Sequence, residues 1–216
     1  MTQVWLVREA GPIMVLLGWH MVLSLLPILI GLVLAVPLGW AVQRSGVLKS
    51  VWLGAAGLLY TIPSLAMFVL LPSLIHTRIL DPINVVVALT VYALALLVRA
   101  VSDGLDSVPE ATLQAANAMG FRVLHRVFAV DLPLAIPVIA ANLRVAIVAN
   151  VSIVSVAALV GTPQLGSLFT QGLQLHFLTP IFTGIVLCVG LAAMLDGMVR
   201  WITRILTPWQ AGRAEP

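Results

Sequence analysis

From Val145 to Leu195 the chain contains no Asp, Glu, Lys or Arg. A charge-free stretch of that length is far longer than the core segments of a water-soluble domain and long enough for two bilayer crossings. The pattern recurs along the chain, with apolar segments at about Met14 to Val42, Val51 to Ile75, Ile83 to Ala100, Leu134 to Gly161 and Thr179 to Trp201. Each can cross a hydrocarbon core about 30 Å thick. With 61% of 216 residues hydrophobic and 9% charged, a soluble globular protein is excluded. The expected fold class is therefore all-α integral membrane, with about five transmembrane helices in one domain over residues 1–216. No room is left for a catalytic domain outside the bilayer. The net charge of +3 is dispersed and forms no basic stripe, so no nucleic-acid partner is expected.

The stretch from Ile13 to Val42 is too long for a signal-peptide core and lacks a convincing cleavage site, so it reads as a retained span. Trp19 and Trp40 lie 21 positions apart, about 31 Å along a helix, a spacing suited to two interfaces. Trp52 and Trp201 also fall near expected span ends. With the N-terminus outside, the inner connections hold Arg44, Lys49, Arg99, Arg122, Arg126, Arg200, Arg204 and Arg213, against Arg8 and Arg78 outside. That bias predicts a cytoplasmic C-terminus. Arg144 falls toward the inner end of the fourth segment, where it can snorkel or pair. Gly31, Ala35 and Gly39 recur every four residues, a small-residue stripe that either marks a helix contact or reflects a Gly- and Ala-rich chain. The charge-free hairpin is expected to turn near Thr162 to Gln174.

Residues 102–133 break the apolar pattern with Asp103, Asp106, Glu110, Arg122, Arg126 and Asp131. They read as two short helices. Ser107 and Glu110 have capping-box spacing, Pro109 suits a first turn, and Gly120 supplies a left-handed turn after Met119. The second helix places Phe121, Leu124, Val127 and Phe128 on one side and Arg122, His125 and Arg126 on the other, with Pro133 expected to close it. Such an elbow is either a connector lying on lipid headgroups or a docking element for another protein.

Gln114-Ala115-Ala116, three residues, Gly120, nine residues, then Val130-Asp131-Leu132-Pro133 closely resembles the E-A-A, three residues, G, nine residues, I-x-L-P signature of importer-type ABC transporter permeases. Gln114 stands where that family usually has Glu, and Val130 where it has Ile. Thr61-Ile62-Pro63-Ser64-Leu65-Ala66, the run Leu132 to Ile139, and Leu159-Val160-Gly161 to Leu165-Gly166 resemble the osmoprotectant branch, which handles glycine betaine, carnitine, choline or proline. The resemblance implies a type I importer (MetI-like) permease fold and a coupling loop over residues 102–133. Its ATPase-coupling residues would be Gln114, Ala115, Ala116, Gly120, Arg122, Arg126, Leu132 and Pro133. The implied partners are a cytoplasmic ABC ATPase dimer carrying ATP and Mg, an extracytoplasmic substrate-binding protein, a second permease copy or paralogue, and the lipid of a prokaryotic inner membrane. The chain itself has no phosphate-loop motif, and its single lysine, Lys49, follows no glycine-rich run, so energy must come from another chain.

Candidate residues for a translocation path are Pro63, Ser64, Asn142, Asn150 and Ser155. Intramembrane Asn and Ser either face a polar path or bond neighbouring helices, and proline kinks, Pro72 included, either expose carbonyls or are packing-tolerated. His20, His76, His125 and His176 are scattered without ligand spacing, and Cys188 is the only cysteine and reads as a core residue, so no metal site, cofactor or disulfide is expected. No nucleophile–base arrangement is present and every acidic residue reads as lying in a connection or near a span end, so the chain is expected not to be an enzyme. With only Tyr60 and Tyr92 as tyrosines, no aromatic cage for a quaternary ammonium is evident, and selectivity is expected in the binding protein. The alternatives are a permease for methionine or another amino acid and, from a different class, a secondary transporter needing no ATPase, against which the lack of buried acidic residues speaks.

Overall fold

The computed structural model describes residues 2–78 and 80–213; the side chain of Arg213, counted above among inner basic residues, lies outside the described set. Among these residues there is no strand. Helix α1 runs Thr2–Gln43, α2 Lys49–Thr61, α3 Ser64–Ile75, α4 Pro82–Asp106, α5 Glu110–Ala118, α6 Val123–Arg126, α7 Leu132–Val156, α8 Ser167–Gln174 and α9 Leu178–Leu206. Among the described residues four helical stretches are long and apolar enough to cross a membrane, namely Val4–Gln43, Pro82–Asp106, Val123–Val160 and Leu178–Leu206. A fifth crossing exists only if α2 and α3 count as one span.

In that second span the kink expected at Pro63 is a sharp break. The pair α2 and α3 is bent by 97°, because Ile62 precedes Pro63 and is held extended at φ −64°, ψ 129°, where the proline ring disfavours the helical conformation of its predecessor. The first span is longer than expected: α1 has 42 residues and begins well before Met14, so Trp19 lies inside the helix rather than at its end. The expected turn at Thr162 to Gln174 is no simple solvated loop. It contains α8 and buries Thr162, Gln164, Leu165 and Leu168.

Helix α4 is the central element and packs against α1, α2, α3 and α7. The small-residue stripe of α1 is a helix contact. A Cβ on Gly31 would lie 3.0 Å from the Ala93 Cβ, one on Gly39 would lie 2.6 Å from the Val101 Cβ, and Ala35 between them is fully buried. On the other side of α4, a Cβ on Gly104 would lie 2.7 Å from Ile139 of α7. Leu97, Val101, Ala135, Val151 and Leu195 complete the core. Large aliphatic side chains such as Val33, Leu70, Val145 and Val186 point outward, the arrangement expected where the surrounding medium is lipid and close approach of small residues holds the bundle together.

Candidate functional site

The elbow begins where α4 ends. Ser107 does not cap α5: its hydroxyl donates to the Gly104 carbonyl at 2.6 Å and so finishes α4, while Pro109, extended at ψ 134°, precedes α5 with no side-chain cap. The expected capping box is therefore not formed. The hydroxyl finds a carbonyl of its own last turn before it can reach forward across Pro109. Helix α5 closes on a pair of bonds, Gly120 N–H to the Asn117 carbonyl at 3.0 Å and Phe121 N–H to the Ala116 carbonyl at 3.2 Å. This is a Schellman motif, and it requires the left-handed residue between them. Gly120 supplies it at φ +81°. Open space surrounds the position its Cβ would take, so the glycine is needed for its backbone conformation rather than for clearance.

Beyond Gly120 the structure departs again from expectation. Pro133 does not close the second helix: α6 runs through a π turn, Val127–Asp131, directly into α7, giving one continuous rod from Val123 to Val160. In that turn the Leu132 N–H reaches the Val127 carbonyl five residues back. The widened turn relieves the clash between the Pro133 ring and the preceding turn, so the residue that lacks an N–H is absorbed rather than terminating the helix.

Arg126 clamps the two arms. Its Nη1 donates to Asn117 Oδ1 of α5 at 2.8 Å and its Nε to Asp131 Oδ2 at 3.3 Å. Asp131 is buried and its Oδ1 has no hydrogen-bond partner among the described residues. A polar cleft of about 260 Å³ lies there, between Trp40, Gln43, Arg44, Leu105, Leu113, Arg126 and Asp131. The Arg44 guanidinium stacks over Trp40 at 5.1 Å. At the same end Asp106 accepts from Gln43 and pairs with Lys49, tying the ends of α1 and α4 together. Of the motif residues, Ala116 is buried against the bundle, Gln114 and Ala115 face outward, and Gln114 donates to Glu110 Oε1 one turn earlier at 3.2 Å. Arg122 is exposed, while Leu132 and Pro133 are half-buried at the base of α7. Around Gly120 the elbow presents Met119 at 70%, Leu124 at 62% and Phe128 at 67% exposure. The expected apolar side of the second helix thus splits, with only Val127 turned into the core.

The candidate path residues are not brought together. Pro63 is exposed at the bend and Ser64 half-buried beside it. Asn142 is exposed and bonds back to the Val138 carbonyl of its own helix. Asn150 is buried and donates to the Ser24 carbonyl of α1 at 2.7 Å, and Ser155 Oγ lies 3.7 Å from Cys188 Sγ on α9. Two groupings escaped sequence reasoning. Buried His20 of α1 faces Gln164 Oε1 and the Val151 carbonyl, each at 3.1 Å, while Gln164 also donates to the Ser155 carbonyl. And Asp196, read above as lying near a span end, sits within α9 and accepts a bidentate pair from Arg144 of α7. The available signal was that Arg144 and Asp196 are opposite charges set in two otherwise apolar segments. Tyr60 and Tyr92, separate in sequence, meet edge to face at 5.8 Å.

The family described as binding-protein-dependent transport system inner membrane component matches residues 14–207. The chain is 32% identical over 207 residues to the osmoprotectant import permease protein OsmW of Salmonella typhimurium, covering 94% of this chain and 96% of that one. To the glycine betaine/carnitine/choline transport system permease protein OpuCB of Bacillus subtilis it is 27% identical over 204 residues, covering 94% and 93%. Its fold is similar to that in an inward-facing structure of the MetNI methionine ABC transporter, with a TM-score of 0.81 at 21% identity over 93% of this chain and 98% of that one. An amino acid ABC transporter with histidines is similar at a TM-score of 0.75 and 15% identity, covering 93% and 97%. An all-helical bundle with a glycine-hinged elbow and a match over most of its length leave one assignment: the chain belongs to the family of binding-protein-dependent transport system inner membrane components.

Proposed function

We propose that this chain is the membrane-spanning permease subunit of an ATP-driven importer for osmoprotectants of the glycine betaine, carnitine, choline and proline class. It moves solute without transforming it. The observation that carries this reading is the elbow at Gly120, joined without a break to a helix long enough to cross the membrane, in a chain 32% identical to an osmoprotectant import permease. ATP and Mg belong to a cytoplasmic ATPase dimer, solute capture belongs to an external binding protein, and a second permease copy or paralogue completes the path within an inner membrane.

In this reading residues 102–133 are the coupling loop and the elbow end is cytoplasmic. That end carries Arg44, Lys49, Arg122, Arg126, Arg200 and Arg204, whereas Arg8 and Arg78 fall toward the other. The exposed faces of Gln114, Ala115 and Arg122, with the apolar patch of Met119, Leu124 and Phe128, seat on the ATPase. Ala116 packs the elbow to the bundle, Arg126 keeps its two arms at a fixed angle, and Leu132 and Pro133 pass the displacement into α7. Because α6 and α7 form one rod, movement at Gly120 becomes a tilt inside the bilayer rather than a local bend. A near-complete switch between two states requires nucleotide to favour one by about 5.5 kcal/mol.

The test is uptake of labelled glycine betaine by vesicles containing this chain with its partner ATPase and binding protein. Accumulation should require ATP and fall when unlabelled carnitine or choline competes. Uptake of methionine instead would favour an amino-acid importer, and full-rate uptake without the ATPase would make the chain a secondary transporter.

A further inference from the structure

Four elements meet at the polar cleft beside the elbow. Trp40 and Arg44 come from the end of α1, Leu105 from the end of α4, Leu113 from α5, and Arg126 and Asp131 from the rod that continues into α7. The clamp formed by Arg126 leaves Asp131 half satisfied. Its side chain is 9% exposed, Oδ2 accepts from Arg126, and Oδ1 has no hydrogen-bond partner among the described residues. A buried carboxylate oxygen without a donor is unfavourable. The same cleft holds an idle donor. Among the described residues the Arg44 guanidinium donates to no oxygen and rests on the Trp40 ring at 5.1 Å, a contact that leaves its N–H groups free. Asp106, the carboxylate tied to the same end of α1, is already taken, because it accepts from Gln43 and pairs with Lys49.

We propose that Arg44 is a positioning residue for coupling: when the ATP-bound partner drives the elbow toward the end of α1, the Arg44 guanidinium leaves Trp40 and donates to Asp131 Oδ1. The inference rests on the reading of residues 102–133 as the coupling loop and adds a second partner for Asp131 to it. Arg44 belongs to α1, which packs closely against α4 through Gly31 and Gly39, whereas Asp131 belongs to the rod that the elbow moves. The cleft of about 260 Å³ leaves room for the swing. One arrangement thus has a cation on an aromatic face beside a half-satisfied anion, and the other has two guanidinium groups on one carboxylate. Only a contact that differs between two states can bias them, and this one differs by a charge-assisted bond. It favours the narrowed cleft, so the displaced elbow is held against α1 until the ATPase releases it.

The experiment places reporter cysteines on two walls of the cleft, Gln43→Cys on α1 and Leu113→Cys on α5, in a Cys188→Ala background of the assembled transporter in vesicles. Disulfide formation under a mild oxidant is timed with and without ATP and orthovanadate. Nucleotide should speed it about tenfold. Adding Arg44→Gln or Asp131→Asn should each remove most of that acceleration, and the two together should remove no more than either alone, because both lack the same bond. Asp131→Asn keeps an acceptor for Arg126, so the clamp between the arms survives it, and Arg44→Lys should restore part of the acceleration. A purely structural Arg44 would instead change the rate equally with and without nucleotide. No acceleration by nucleotide, acceleration that survives Arg44→Gln, or additive effects of Arg44→Gln and Asp131→Asn would each overturn the proposal. If solute uptake by the unsubstituted transporter needs no ATP, the coupling-loop reading fails; if uptake is ATP-driven while cross-linking ignores nucleotide, only this pair fails.

Discussion

Two glycines carry different burdens, and their substitution separates conformation from clearance. Gly120 sits at φ +81° in open space, so Gly120→Val adds only the cost of a left-handed β-branched residue, at least about 1–2 kcal/mol. That strain falls on the Schellman turn. We expect a folded, inserted protein whose partner ATPase no longer responds to solute-loaded binding protein, read as loss of stimulated ATP hydrolysis. Unchanged stimulation would remove the elbow from the coupling path. Gly39 lies instead against α4, where an added Cβ meets Val101 and, at 2.9 Å, the Val98 carbonyl. Backbone cannot move aside as a side chain can, so Gly39→Leu should cost about 1–3 kcal/mol or more by overpacking. A lowered midpoint of thermal unfolding, measured on the detergent-solubilised protein, checks it.

At the scale of elements, the elbow works as a lever only if its two arms hold their angle. Among the described residues Arg126 is the one side chain that bonds both α5, through Asn117, and the π turn, through Asp131. Arg126→Ala leaves the buried Asp131 carboxylate with neither oxygen bonded to a side chain, a loss of about 3–5 kcal/mol if the partner charge stays buried. Arg126→Lys restores the charge but not the forked geometry. We expect both variants to become more sensitive to limited proteolysis between Met119 and Arg122, with stimulated ATP hydrolysis partly retained only in the lysine variant. Equal protease resistance in all three proteins would show that the arms are held by other contacts. The Ser107 and Pro133 outcomes belong to this scale too. Both residues carry sequence signals for a boundary, and both were overridden by their neighbours: Ser107 finds the Gly104 carbonyl, and the π turn accommodates Pro133.

For the whole molecule, the end opposite the elbow is held by Gln164, which joins His20 of α1 to the Ser155 carbonyl of α7 and also accepts from the Gly166 N–H. Gln164→Leu leaves the Gly166 N–H and His20 Nδ1 without this partner, at about 1–3 kcal/mol each. We expect a lower thermal midpoint with ATPase coupling retained below it, since the elbow lies at the other end of the bundle; loss of coupling at temperatures where the protein remains folded would join the two ends functionally. How much of this was legible follows from the kind of signal each feature emits. Charge-free runs, the bias of basic residues and the spacing from Gln114 to Pro133 are linear patterns, and they determined a helical membrane bundle with a glycine-hinged elbow between its third and fourth apolar segments. The glycine stripe of α1 was legible as a contact but not as a contact with α4. The kink at Pro63 was legible though not its 97° size, and the π turn that carries α6 into α7 is local as well; the His20–Gln164 tie and the Arg144–Asp196 pair were decided by tertiary structure alone. Each depends on which distant group stands opposite a residue once the helices pack, and a sequence records the polarity of a side chain but not the partner that satisfies it.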